Sequence, residues 1–230
     1  MEVKLVNKNG GRLPLAKTYC EEDIVVTIDE SLFDQDYTIE DALITRTLTS
    51  YTNNRVKEVG ERAFQGFISL KSVEFNNVEN IATYAFYSCS GLTELNFPKA
   101  TTIVGNAFTG CSSVMIAKFE SLTEIKTDIL RSLAAMRVAY IPLVKSIAGA
   151  PFADCTGLEA IIITQTDTVA SLASTNAFVR SGIANGTGYV YVPDALVDQY
   201  KSATNWSTFA TQIKGLNELP FDVKEELGLW

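Results

Sequence analysis

A repeat solenoid carrying a parallel β-sheet along one flank is the fold class this sequence predicts, and three observations predict it. Phe64, Phe86, Phe108, Leu130 and Phe152 follow one another at intervals of 22 residues. The phrase "VGERAFQGFISLKSVEF" (59–75) returns as "IATYAFYSCSGLTELNF" (81–97) and again as "IVGNAFTGCSSVMIAKF" (103–119). Around each anchor, further columns stay apolar through five turns. Val59, Ile81, Ile103, Ile125 and Ile147 precede it, and Leu70, Leu92, Val114, Met136 and Leu158 follow it. Val73, Leu95, Ala117, Ala139 and Ile161 come next, then Phe75, Phe97, Phe119, Ile141 and Ile163. A fixed period in the twenties means stacked units, each covering its neighbour's apolar surface.

Residues 1–50 show no such period, so residues 1–54 are expected as a separate β-hairpin segment and linker. "VKLVNKNGGRLPLAKTYCEEDIVVTI" (3–28) alternates like two strands joined at Asn9-Gly10, a pair suited to a tight hairpin turn. "DESLFDQDYTIEDALI" (29–44) is acidic and turn-rich, and reads as a linker or first cap.

Residues 55–193 hold about six coils. Alternation in "LKSVEF" and "LTELNF" places one short strand in each, and strands stacked in register make a parallel sheet. The "AF" part is expected as a turn or short helical segment on the other flank. The fourth repeat, "IKTDILRSLAAMRVAYIP" (125–142), lacks both the aromatic anchor and the Cys. A sixth coil carries Phe178 and "YVYVP" (189–193); its spacing lengthens to 26, so "ANGTG" (184–188) is expected in a longer loop.

Residues 194–230 are expected as a helical cap and tail, because terminal coils otherwise expose their apolar faces. Pro193 breaks the strand, Asp194 is placed to cap a helix, and Leu196, Val197 and Tyr200 offer an apolar face. A second short helix would turn Trp206, Phe209 and Ile213 inward. "NELPFDVKEELGLW" (217–230) reads as a tail whose final Trp docks on a partner or on its own fold.

Cys89, Cys111 and Cys155 each stand three residues after an anchor, so they form a ladder on one side of the coil. There a small buried thiol packs well. Zinc would ask for paired Cys at short spacing, and the chain has none. A Cys89–Cys111 disulfide between adjacent coils is geometrically conceivable, and Cys20 stands outside the repeats.

With the inward columns assigned, the outward ones follow. One runs Ser72, Glu94, Ile116, Val138, Ala160 and Tyr189; its neighbour runs Glu74, Asn96, Lys118, Tyr140, Ile162 and Tyr191. The first coils are polar there. Ile116, Val138, Tyr140, Ile162, Tyr189 and Tyr191 instead make an apolar and aromatic patch. Two readings of it stay open: an interaction surface, or a face that the C-terminal tail covers within the chain.

Composition removes several functions. The 230 residues carry a net charge of −8 and are 47% hydrophobic, which suits a folded domain and argues against a nucleic-acid partner. No run of 18 apolar residues predicts membrane insertion, and the N-terminus lacks the pattern of a secretory signal. Histidine is absent, which excludes His-activated nucleophiles and His-ligated metals. No P-loop, G-x-S-x-G or Ca²⁺-loop motif occurs, and Glu21, Glu22 and Asp23 are adjacent rather than facing. No enzyme activity, cofactor or metal site is therefore expected.

The repeated phrase, best seen in "YAFYSCSGLTELNFP" (84–98), "NAFTGCSSVMIAKF" (106–119) and "APFADCTGLEAIII" (150–163), resembles the BspA-type leucine-rich repeat. That resemblance implies a right-handed leucine-rich-repeat solenoid with short turns opposite the sheet, and a binding or structural role. Separately, "KTYCEEDIVVTI" (17–28) is similar to modules near the N-termini of phage and prophage tail-associated proteins. Together they imply a tail-associated host-recognition protein, assembled in the cytoplasm and acting on the virion outside it; residues 1–54 would attach it to the particle or, equally, serve only as a structural lid on the first coil. A bacterial cell-surface or secreted adhesin and an intracellular scaffold are the alternatives. The expected partner is a protein or cell-surface glycan, and a homo-oligomer is compatible with the same patch.

Overall fold

Backbone hydrogen bonds between neighbouring coils recur at the interval of the sequence repeat. Met115 N–H donates to the Thr93 carbonyl at 2.9 Å, Arg137 to Met115 at 2.8 Å and Glu159 to Arg137 at 2.8 Å. On the turn side, Phe64 donates to Ala85 at 2.7 Å, Phe86 to Ala107 at 2.8 Å and Phe108 to Ile129 at 3.1 Å. Each coil thus satisfies its polar backbone on the next. The structure is a computed structural model; it describes residues 48–229 in full and, ahead of them, only the backbone of the four strands at 5–7, 12–13, 24–26 and 37–39.

Strands β1 (Leu5–Asn7) and β2 (Arg12–Leu13) pair antiparallel, with Leu5 opposite Leu13. The turn expected at Asn9-Gly10 lies outside the described residues, as do Cys20, Glu21, Glu22, Asp23 and Trp230. Strands β3 (Ile24–Val26) and β4 (Tyr37–Ile39) are followed by β5 (Leu48–Thr52) and β6 (Val56–Val59). β3 pairs in parallel with β5, and β4 with β6; β4 also pairs antiparallel with β1. Parallel rungs therefore reach well before residue 55, and the stretch expected as a linker contributes one of them. Register shifts inside both pairs break the 22-residue spacing, which hides these rungs from a period search.

From there each coil supplies a three-residue and a two-residue strand. They are β7 (Ser72–Glu74) and β8 (Asn80–Ile81), β9 (Glu94–Asn96) and β10 (Thr102–Ile103), then β11 (Ile116–Lys118) and β12 (Glu124–Ile125). β13 (Val138–Tyr140), β14 (Ser146–Ile147), β15 (Ala160–Ile162) and β16 (Ser171–Leu172) continue the series. The sixth coil ends in β17 (Tyr189–Val192), and β18 (Ile213–Gly215) adds a further parallel strand beside it. One strand per coil was expected. The second sits on the column of Ile81, Ile103, Ile125 and Ile147, whose side chains point inward and are buried. β9, β11, β13, β15, β17 and β18 form one sheet, here called the long-strand sheet.

The inward columns fill a continuous interior. Phe64, Phe86, Phe108, Leu130 and Phe152 are all buried. Phe64 stacks on Phe86 with ring centroids 5.0 Å apart, Phe86 on Phe108 at 5.3 Å, and Phe152 on Phe178 at 5.7 Å. Such offset or parallel ring contacts add to plain burial. The turn beyond each anchor needs a left-handed residue two places on: Gly66, Ser88, Gly110, Ser132, Asp154 and Arg180 hold φ between 55° and 79°. Glycine adopts that conformation freely, whereas a side chain pays about 1 kcal/mol. The lengthened loop of coil six closes on Gly182, where a Cβ would lie 1.9 Å from the Leu158 carbonyl oxygen.

The cap is built from the 3₁₀ turn Asp194–Leu196, helix α1 (Val197–Ser202) and the 3₁₀ segment Trp206–Gln212. Leu196, Tyr200, Trp206 and Phe209 are buried over coil six. Their polar atoms serve the last rung. Tyr200 Oη accepts from Ala170 N–H at 2.9 Å, Trp206 Nε1 donates to the Ala170 carbonyl at 2.6 Å, and Asn205 Nδ2 donates to Leu172 at 2.7 Å. Two details differ from expectation. Asp194 does not cap α1; its carboxylate accepts from Asn217 N–H at 3.4 Å. Ile213 lies in β18, not in a helix, because the chain returns to extend the sheet.

Candidate functional site: the outer face of the long-strand sheet

Strict alternation along three-residue strands sends the first and third residues of each outward. Over coil two these are Glu94 and Asn96, and on β7 of coil one, which belongs to the neighbouring sheet of β3, β5 and β7, they are Ser72 and Glu74; all four are exposed. Coil three presents Ile116 and Lys118, both half-buried, with Lys118 Nζ 3.1 Å from Glu94 Oε1. Cross-strand register places Glu94 beside Ile116 and Ile116 beside Val138.

Over coils four to six the face changes. Val138, Ala160, Ile162 and Tyr191 are buried, Tyr191 being only 3% exposed, while Tyr140 and Tyr189 are half-buried. The patch of Ile116, Val138, Tyr140, Ile162, Tyr189 and Tyr191 is thus mostly not an open surface. Helix α2 (Phe221–Leu227) lies on it, and Leu219 and Val223 are buried against it with Leu216, Leu227 and Leu229 alongside. Of the two readings of that patch, the structure shows the one in which the chain covers itself.

Charges give the direction of α2. Glu218 acts on the Tyr191 phenol, Asp222 on both Tyr191 and Arg137, and Glu226 Oε1 reaches Arg137 Nη1 at 3.7 Å. The helix therefore runs back from coil six toward coil four. Arg137 also holds Glu159 at 3.0 Å, and these carboxylates push its pKa up further. Burial raises the phenols of Tyr140 and Tyr191. Lys214 Nζ stands 3.8 Å from the centre of the Tyr189 ring, a cation–π contact at the far end of the face.

Beneath the turns lie Cys89, Cys111 and Cys155, which are buried free thiols. Each donates its S–H to the carbonyl of the preceding coil's anchor: Cys89 to Phe64 at 2.8 Å, Cys111 to Phe86 at 3.1 Å and Cys155 to Leu130 at 3.1 Å. Burial pushes Cys89 and Cys155 from 9.0 to about 12 and raises Cys111 as well. Such thiols are poor nucleophiles and structural in character. Leu133 fills the same position in coil four, and Ser181 does so in coil six.

On the turn flank Asp154 accepts from Arg180 Nη2 at 3.0 Å and pairs with Arg131 Nε at 3.4 Å, and these partners hold its carboxyl below the usual range. These pairs are exposed and knit coils four, five and six together rather than flanking a cleft. Among the described residues, no group of three or more His, Cys, Asp or Glu is arranged to hold a metal ion. No helix among them is long and apolar enough to cross a membrane.

Arg137 and the helical form of the covering tail are the parts of the site that the sequence reading missed. Their signal was present. Leu219, Val223 and Leu227 recur every fourth residue, Pro220 stands at the helix start, and Gly228 closes it at φ 71°. Gly228 N–H donates to Glu225 and Leu229 N–H to Lys224 at 2.9 Å, the left-handed end that glycine commonly provides.

Comparison with known proteins bears on the repeat. The profile described as BspA type Leucine rich repeat region matches in six copies across residues 27–159. A leucine rich repeat protein of T. pallidum is 18% identical with a TM-score of 0.49, covering 81% of this chain and 90% of its own. A leucine rich cell surface protein from Faecalibacterium prausnitzii is 17% identical with a TM-score of 0.40, covering 80% and 69%. No curated protein matches the chain.

Proposed function

The chain belongs to the BspA-type leucine-rich repeat family, and on that premise we propose that it is a non-enzymatic binding protein. Its binding surface is the uncovered part of the long-strand face, over coils two and three, together with the adjoining strand β7 of coil one, which lies in the sheet of β3, β5 and β7, and its partner is a protein or a glycan on another surface. The observation that carries this reading is where α2 stops. Ser72, Glu74, Glu94 and Asn96 stay exposed on the adjoining edges of two sheets, where β7 meets β9, bordered by Lys118, Ile116 and Tyr140. Strands about 4.8 Å apart present these hydroxyl, amide and carboxylate groups in rows, which suits an extended polar partner. Apolar side chains at the margin of α2 add contact area where the row ends.

Labelled protein, tested against intact bacterial cells and immobilised glycans and proteins, checks the reading. The double variant Glu74→Lys with Asn96→Lys should lose binding about tenfold or more, at an unchanged melting temperature. Binding that survives this change intact would overturn the assignment of the face.

The finer reading, a tail-associated host-recognition protein of a phage or prophage, rests on the likeness of residues 17–28. It asks that the chain co-sediment with particles through residues 1–54 and act outside the cell. A surface adhesin would instead remain with the cell envelope of its producer.

A further inference from the structure

We propose that the sheet face over coils four to six is a helix-docking site, and that residues 216–229 of a second copy of the chain can occupy it in exchange for the chain's own. The interior closes without this segment. Leu196, Tyr200, Trp206, Phe209 and Ile213 belong to the interior cluster that seals coil six. The apolar cluster joined by α2 is a separate one, formed on the outside of the sheet. A helix of seven residues has negligible stability alone, so α2 folds as it docks. Undocked, it bares Val138, Ala160, Ile162 and Tyr191 beside Tyr140 and Tyr189. Soluble proteins rarely leave such a surface in water.

The resident occupant shows what fits. Apolar side chains at 219, 223 and 227 face the sheet, and a carboxylate at 226 meets Arg137 at 3.7 Å. The same segment of another copy repeats every one of these groups. Exchange replaces like with like and costs only association entropy and the opening of the chain at Gly215, where the segment leaves β18. The tether keeps the chain's own helix at high effective concentration. The closed monomer therefore dominates in dilute solution, and exchange grows with concentration. This site is distinct from the uncovered coils, and the two readings stand or fall separately.

Two arms test it with the full chain. Arg137→Cys and Glu226→Cys proteins, each in a Cys20→Ser background, are mixed and treated with a short bis-maleimide at rising concentration. A covalently linked heterodimer that increases with concentration is expected. The double variant, which should link within one chain, reports whether the reagent spans the pair. If it does so while the mixture stays monomeric throughout, exchange is overturned. In the second arm, Val223→Asp releases the chain's own α2. This variant should keep its cooperative melting and bind a labelled 216–229 peptide about tenfold or more tighter than the wild type, whose own helix competes. Equal binding by both proteins, or complete unfolding of the variant, would refute the proposal.

Discussion

The outward column of the long-strand face and its continuation reads Glu74, Asn96 and Lys118 over coils one to three, then Tyr140, Ile162 and Tyr191 over coils four to six. The coil repeats in both halves, although β7 and β9 lie in different sheets, and the interior columns are buried in both apart from the half-buried Val73. What differs is the cover. α2 lies on the second half and stops short of the first. The inward residues answer to the neighbouring coil and so cannot vary much. The outward ones answer to whatever lies on them, so their polarity records whether the face meets water or chain. An apolar outer row is thus no sufficient sign of a partner binding site. In this protein it marks an internal dock.

Removing an anchor from either half tests the shared interior. Phe86→Ala and Phe152→Ala should each cost about 3–5 kcal/mol, read by denaturant unfolding. A much smaller loss for one of them would show that the halves are not packed alike. The next contrast uses one outward column. Ile162→Ala, under α2, should cost about 2–4 kcal/mol, whereas Asn96→Ala, in the open, should stay within about 0.5 kcal/mol. Equal costs would erase the distinction between covered and uncovered face. Tyr191→Ser belongs with Ile162→Ala and should lower the melting temperature, since its ring is buried.

The thiol ladder crosses both halves and should respond to pH alike in each. Cys89 and Cys155 have folded pKa values raised from 9.0 to about 12. Their contribution is complete below pH 9 and is lost as pH rises toward 12, by up to about 1.4 kcal/mol per pH unit for each thiol. Replacing Cys89 or Cys155 with Ala should flatten the alkaline stability profile by a similar amount. A thiol reagent should meanwhile leave Cys89, Cys111 and Cys155 unmodified until the chain unfolds. The smallest effect belongs to the edge of the dock. Glu226→Gln removes a partly exposed partner of Arg137 and should cost less than about 1 kcal/mol, vanishing in high salt.

Much of this architecture was legible because a repeat announces itself. Phe64, Phe86 and Phe108 need only their spacing to be placed in one interior row, and Cys89, Cys111 and Cys155 follow from the same count. Strand β4 escaped because its register slips against β6, so Tyr37–Ile39 keeps no period with the later coils. Strand β18 escaped because "IKG" is too short to signal anything alone and becomes a strand only beside β17. The segment around Val223 carried a readable helix pattern, with Pro220 and Gly228 as its limits. Nothing in that pattern says which surface receives it.

The sequence by itself determined the coil, its inward rows, the thiol ladder and the alternation that turns Glu74 and Tyr191 to the same side. Those follow from a period that every unit repeats, so each residue's neighbours are known by counting. Tertiary structure alone decided that the tail folds back from coil six to coil four and leaves coils one to three open. That contact joins two segments related by no period, and burial of Val223 against Ile162 and Tyr191 depends on where the cap happens to release the chain.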